Sequence, residues 1–164
     1  MTKMKYSILG IGGKLAFYTS IYAGFAAGLS LLFPNFFFIR SELVFGLRAL
    51  GFILLAMGII LLIISVRQLL REFQEGILMT GGVFRYLRNP IYAAWTFLII
   101  PALSFFTLSW LFFFTPFIFY LIFKTYIREE EEFLEGYFGD EYIKYKAKTG
   151  QLLPRFRFSS EQEI

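Results

Sequence analysis

The sequence predicts an all-α integral membrane bundle of about four transmembrane helices, the last two a hairpin, followed by a C-terminal cytoplasmic helical segment. Three observations predict it. Hydrophobic residues make up 57 % of the 164 residues and charged residues only 17 %, where a soluble domain carries about a quarter charged. Uncharged runs long enough to cross a hydrocarbon core of roughly 30 Å recur along the chain. Between them, lysine and arginine gather in alternate connections, as they do when those connections stay on the cytoplasmic side. Residues 1–164 read as a single domain.

The first span is predicted at about residues 15–33, behind Lys3, Lys5 and Lys14. Its apolar run is longer than that of a usual signal peptide and no clear cleavage site follows, so a retained helix is expected. Gly24 and Gly28, with Ala23 and Ala27 beside them, form a small-residue face suited to close helix packing. "PNFFFIRSE" is a short turn, and the second span follows at about 43–66. Arg48 lies near its start, where it would snorkel to the interface. Gly51 and Gly58 again suit packing. The segment Arg67–Pro90 is amphipathic, holds four arginines and breaks at Gly81-Gly82; it reads as a helix extension ending in a loop.

Ile91 to Phe123 carries no charge over 33 residues. One helix of that length would reach about 50 Å, too long for a bilayer. Pro101 and Pro116 interrupt it, so two spans are expected, at about 91–105 and 108–123, with a tight turn around Ser104–Ser109. Both termini then fall on the cytoplasmic side. The last third continues as a helix with an apolar face of Phe133, Leu134, Tyr137 and Phe138. Gly139 is expected to stop it, Asp140 to cap a second short helix, and Tyr142 and Tyr145 to share one side of that helix. The final "SSEQEI" is expected to be loose.

The chain has no cysteine and no histidine. Thiolate chemistry, disulfides and Cys-based metal sites are excluded, and with histidine go the commonest general base and the commonest zinc ligand. The net charge of +4 reports orientation in a membrane, and no basic run with interleaved aromatics suggests nucleic acid. No predicted span contains Asp or Glu, which argues against a small proton-coupled exporter.

The remaining polar residues form two clusters, Thr80–Tyr92 and Arg128–Tyr145. The hairpin should bring them together, making 76–92 and 124–156 the catalytic segments. Arg88 is a planar fork suited to a carboxylate or phosphate. Asn89-Pro90 suits a helix start, with asparagine as cap. Of the four glutamates 129–132, one or two can point inward. An inward glutamate beside arginine suits a zwitterionic ligand. On residue types alone, Arg85 and Arg88 also serve as headgroup anchors, the tyrosines as an interfacial belt and the glutamates as a solvated helix start.

"TGGVFRYLRNPIY" resembles the T-x-G-x-Y-R-Y-x-R-H-P-x-Y signature of the isoprenylcysteine carboxyl methyltransferase family and its phospholipid-methyltransferase relatives. "EEEEFLEGYFGDEYIKYKAKTGQLLP" resembles the second signature of that family: a glutamate pair, F-G-x-x-Y-x-x-Y and a closing leucine-proline. The resemblance implies an integral membrane enzyme that uses S-adenosylmethionine. It implies cofactor contacts at Leu78, Met79, Phe84, Asn89, Pro90, Ile91 and Tyr92, beside Arg88, and at Glu130 or Glu131, the register within the four glutamates being open. Arg128 is the nearest match to an arginine linked to substrate in the family. Arg128, Glu130 and Tyr92 are therefore the candidate catalytic residues, and no metal is expected. The sequence departs from the signatures at Asn89, where the family has histidine, at Ala94, where it has glycine, and at Gly82-Val83, where it has Gly-Pro.

A sulfonium methyl group is already activated, so the enzyme must chiefly align the nucleophile and exclude water. A carboxylate acceptor needs no base, which favours isoprenylcysteine-type O-methylation of a lipophilic acceptor. A phospholipid amine must first lose a proton, and a glutamate or tyrosine would have to take it. Tyr92 or Tyr142 would stabilise the sulfonium through its ring face. The alternatives are phospholipid N-methylation, a sterol-reductase-like membrane enzyme, or a non-catalytic membrane scaffold. Expected partners are the lipid, prenylated or other lipophilic acceptor and membrane lipids.

Overall fold

A computed structural model of the chain describes residues 10–39 and 42–155, with the side chains of residues 72–75 outside the description. Lys3, Lys5, Arg40 and the "SSEQEI" tail lie outside the described residues. The described chain is helical throughout, with α1 at Gly12–Leu32, α2 at Pro34–Phe37, α3 at Val44–Glu75, α4 at Pro90–Ala94, α5 at Ile100–Thr107, α6 at Thr115–Phe138 and α7 at Asp140–Lys148. A π turn at Trp95–Ile99 joins α4 to α5, so residues Pro90–Thr107 run as one span. Short 3-10 turns lie at Gly82–Arg85 and Trp110–Phe114.

Four stretches are long and apolar enough to cross a membrane: Gly12–Leu32, Val44–Arg71, Pro90–Thr107 and Trp110–Phe138. Their outward faces are covered with exposed phenylalanine, leucine and isoleucine, among them Phe17, Phe25, Leu31, Phe45, Phe52 and Ile60. Such a surface is stable only when hydrocarbon is the solvent. The chain is an integral membrane protein.

Going round the bundle, α1 packs on α6, α6 on the π turn and α5, and α3 on α4, the π turn and α5. No extended contact joins α1 to α3. The α3 seam depends on two glycines. A Cβ at Gly58 would come within 2.7 Å of Ile99 Cγ1, and one at Gly51 within 3.1 Å of Phe106 Cε1. Gly24 and Gly28 differ from expectation. Nothing approaches within 4 Å of a Cβ at either position, because α1 meets α6 through another face, with Leu15 packed among Phe119, Phe123 and Ile127.

The turn between the third and fourth spans falls at Leu108, in the left-handed region at φ 53°, and extended Ser109. The α2 turn clasps it: Ile39 N donates to Leu108 O at 2.7 Å, Trp110 Nε1 to Phe36 O at 3.1 Å, and the Ser30 and Ser109 hydroxyls are 2.7 Å apart. Pro101 has no amide to give the helix ladder, and the π turn ends two residues before it, at Ile99.

At the opposite end α6 runs on past its apolar half. Gly139, at φ 56°, lets the chain reverse into α7, and it caps both helices. Asp140 therefore stands in the first turn of α7 and makes no side-chain cap bond, contrary to the role expected from sequence. Tyr142 and Tyr145 are buried against Leu78, with Leu134 and Phe138 beside them. Tyr137, expected on the same face, points outward.

Candidate active site

The two polar clusters meet through backbone. Leu87 and Gly150 form a parallel bridge, in which Arg88 N donates to Gly150 O at 2.8 Å and Gly150 N to Tyr86 O at 3.3 Å. Asn89 N extends it by donating to Gln151 O at 3.2 Å. The segment after α7 is thus stitched to the loop before α4, and the side chains of both are fixed.

Arg88 lies at the junction. Its Nη1 donates to Lys146 O at 3.1 Å and Thr149 O at 2.6 Å, and its Nη2 to Glu131 Oε1 at 3.0 Å. Its side chain is 11 % exposed and that of Glu131 10 %. Glu131 also receives Gln151 Nε2 at 2.9 Å and Lys146 Nζ at 2.8 Å. Two cations and an amide therefore compensate one carboxylate. The Glu131 and Glu135 hydrogen bonds hold the Lys146 ammonium above the usual lysine range. Arg88 Nε is buried with no partner among the described residues.

Glu130 faces the other way. Its Oε2 accepts from Tyr92 OH at 3.1 Å and from the backbone amide of Ile11 at 3.2 Å. Among the described residues no cationic side chain pairs with it. The turn that supplies the amide includes Gly10, at φ 47°, where a Cβ would overlap Glu130 Oε2 and stand 3.2 Å from Tyr92 OH. Neighbouring Glu129 pairs with Lys14 of α1 at 2.5 Å.

These groups border a cavity of about 840 Å³ running down the bundle between α1, α3, the third span and α6. At its polar end are Arg88, Asn89, Tyr92, Glu130 and Tyr142; deeper, it is walled by apolar side chains such as Leu15, Ile100 and Phe119. Leu78, Met79, Phe84, Pro90 and Ile91 all line it. Burial pushes the Tyr142 phenol up, with Glu131 adding to the shift, so it stays neutral.

Two sequence-derived candidates lie elsewhere. Arg128 is 85 % exposed and pairs with Glu132 one turn along α6, because residue 128 falls on the helix face opposite the cavity. Glu131 does not border the cavity and acts on it through Arg88. Asn89 precedes α4 as expected, yet its side chain makes no cap bond; its Nδ2 lies 3.4 Å from Gln151 O. The bridge to Gln151 holds it away from the helix start. Sequence reasoning missed Gly10, Ile11, Lys146 and Gln151. The last two sit within the second signature, but Gly10 and Ile11 belong to no motif.

A family model described as phospholipid methyltransferase matches residues 47–141. The chain belongs to the phospholipid methyltransferase family. It is accordingly a membrane methyltransferase. No curated protein and no solved structure matches the chain. The matched residues of this phospholipid methyltransferase family member include α3 from Leu47 on, the third span, α6, Glu130 and Glu131. They leave out α1 and the Thr149–Gln151 segment, which supply the Ile11 amide to Glu130 and the carbonyl and amide partners of Arg88 and Glu131.

Proposed function

We propose that the chain transfers a methyl group from S-adenosylmethionine to a carboxylate on a lipophilic acceptor, at the cytoplasmic face of a membrane. The observation that carries this reading is the juxtaposition of Glu130, a buried carboxylate without a cationic partner among the described residues, with Arg88, a buried guanidinium with one donor unused among them, at the polar end of a mostly apolar cavity. An aminocarboxylate group fits both: its ammonium complements Glu130 and its carboxylate complements Arg88.

Leu78, Met79, Phe84, Asn89, Pro90, Ile91 and Tyr92 would enclose the rest of the cofactor. When bound, S-adenosylmethionine supplies a methyl group already activated on sulfur. The protein has to orient, desolvate and align. The rings of Tyr92 and Tyr142 offer faces for positive charge, and Glu131, Lys146 and Gln151 keep Arg88 in place. The acceptor enters sideways from lipid where α1 and α3 do not pack together. Residues 1–164 act as one unit, with both termini on the cytoplasmic side.

Among the described residues Glu130 is the sole carboxylate on the cavity wall, and it already accepts from Tyr92 and Ile11. With Glu130 engaged by the cofactor ammonium, the described residues of the cavity wall offer no second acid, and the chain has no imidazole, to take a proton from an ammonium acceptor. This favours an acceptor that arrives as a carboxylate. The description of the family favours a second reading, N-methylation of a phospholipid amine, in which Glu130 serves as base. Purified protein in nanodiscs, given methyl-labelled S-adenosylmethionine and lipid or prenylated-cysteine acceptors, separates them. Label released by mild alkali as methanol is the expected result; alkali-stable label on a phospholipid establishes the second reading. Absence of both cofactor binding and transfer in folded protein overturns the proposal.

A further inference from the structure

The start of α1 lies outside the residues that match the family, yet it makes one of the two hydrogen bonds that the described residues give Glu130. Several independent features fix it there. Ile11 and Leu15 are buried with Phe123 and Ile127 of α6. Lys14 pairs with Glu129 and covers the Tyr126 ring at 4.7 Å. Gly10 takes a left-handed conformation that a side chain resists, and a Cβ there would overlap the Glu130 carboxylate. The adjacent glycines behave differently: nothing lies within 4 Å of a Cβ at Gly12 or Gly13. Of this glycine-rich turn, position 10 alone is kept bare by the carboxylate.

We infer that Gly10 and the Ile11 amide are positioning residues for Glu130: the turn before α1 holds the Glu130 carboxylate in the orientation that receives the positively charged end of the cofactor. Without the amide, Glu130 keeps a single bond, from Tyr92, and an anion on a long side chain with one anchor samples several rotamers. The amide also lies at the N-terminal end of a 21-residue helix, where a negative charge is favoured. The inference rests on the reading that Glu130 contacts the cofactor, and its test includes a readout independent of cofactor.

Two comparisons test it in nanodiscs. The first is Gly10→Ala against Gly13→Ala. Gly10→Ala should weaken S-adenosylmethionine binding by about tenfold or more, with wild-type binding in Gly13→Ala. Combining Gly10→Ala with Glu130→Asp, which withdraws the carboxylate from the added methyl, should give no further loss beyond the worse single variant. The second is Ile11→Pro against Ile11→Ala. Both truncate the buried side chain, and proline fits the Ile11 φ of −79°, so the pair differs chiefly in the amide. Ile11→Pro should bind the cofactor more weakly than Ile11→Ala and serves if Gly10→Ala does not fold. In cofactor-free protein, the infrared carboxylate band assigned to residue 130 by Glu130→Gln difference should shift in Gly10→Ala and Ile11→Pro, and stay in Gly13→Ala and Ile11→Ala. An unshifted band in folded Gly10→Ala and in Ile11→Pro overturns the inference. A shifted band with unchanged cofactor affinity in Glu130→Gln overturns the cofactor reading alone.

Discussion

Glu130 and Glu131 are neighbours in sequence with opposite circumstances. Among the described residues Glu131 is compensated by Arg88 and Lys146, and Glu130 by neutral donors only. Their neutral variants should therefore separate stability from binding. Glu131→Gln leaves Arg88 buried without its anion and should destabilise the protein by about 3 kcal/mol, read as a lower thermal midpoint in nanodiscs. Glu130→Gln removes an uncompensated buried charge, so its midpoint should hold or rise while cofactor affinity falls about tenfold. Equal loss of stability in both would refute the division of labour. The four consecutive glutamates show how far the sequence reaches at this scale. Helical spacing says that one or two point inward, but the choice depends on where α1 and the segment after α7 arrive. Arg128 illustrates the same limit: it stands close to Glu130 in sequence, but its side chain leaves α6 on the other side.

Among the helices, legibility followed periodicity and punctuation. The four spans, the stop at Gly139 and the shared face of Tyr142 and Tyr145 are written in apolar runs and glycines. The π turn at Trp95–Ile99 is not, since it has the same composition as the α-helix around it. Small-residue motifs were ambiguous in another way. Gly24 and Gly28 look like a packing face and meet nothing, whereas Gly51 and Gly58 make the tight seam of α3. A larger residue distinguishes them. Gly58→Val must push Ile99 and Leu98 aside and should cost about 1–3 kcal/mol of stability, while Gly24→Val should stay within about 0.5 kcal/mol of wild type, as expected for a change at an open surface. Thermal unfolding of the two variants decides it. Asn89 shows backbone pairing overriding a local preference: a good cap residue is drawn to Gln151 instead.

For the molecule as a whole, the proposed function has the gap between α1 and α3 separate the entry of two ligands. The proposed cofactor site opens at the polar end, and the proposed acceptor route opens to lipid. The chain has no cysteine of its own, so paired thiols can be introduced cleanly. Ala16→Cys on α1 with Leu69→Cys on α3, joined by a bifunctional thiol reagent, should lower methyl transfer to a lipophilic acceptor at least about tenfold while leaving S-adenosylmethionine affinity within about twofold. Unchanged transfer after complete cross-linking would rule out this route. The architecture itself was visible in composition. The closure of the site was not, because it depends on contacts between segments far apart in the chain.

The bonds around Arg88 have a bearing on how the protein is made. The guanidinium that the cavity presents is held by carbonyls from Lys146 and Thr149, and Glu130 by an amide from Ile11. A nascent chain can thread all four spans into the bilayer, with Ile11 and Tyr92 already available to Glu130, before Arg88 has its full set of partners. The pocket can then form only when residue 149 has left the ribosome and folded back, so insertion is complete before the enzyme can engage its cofactor.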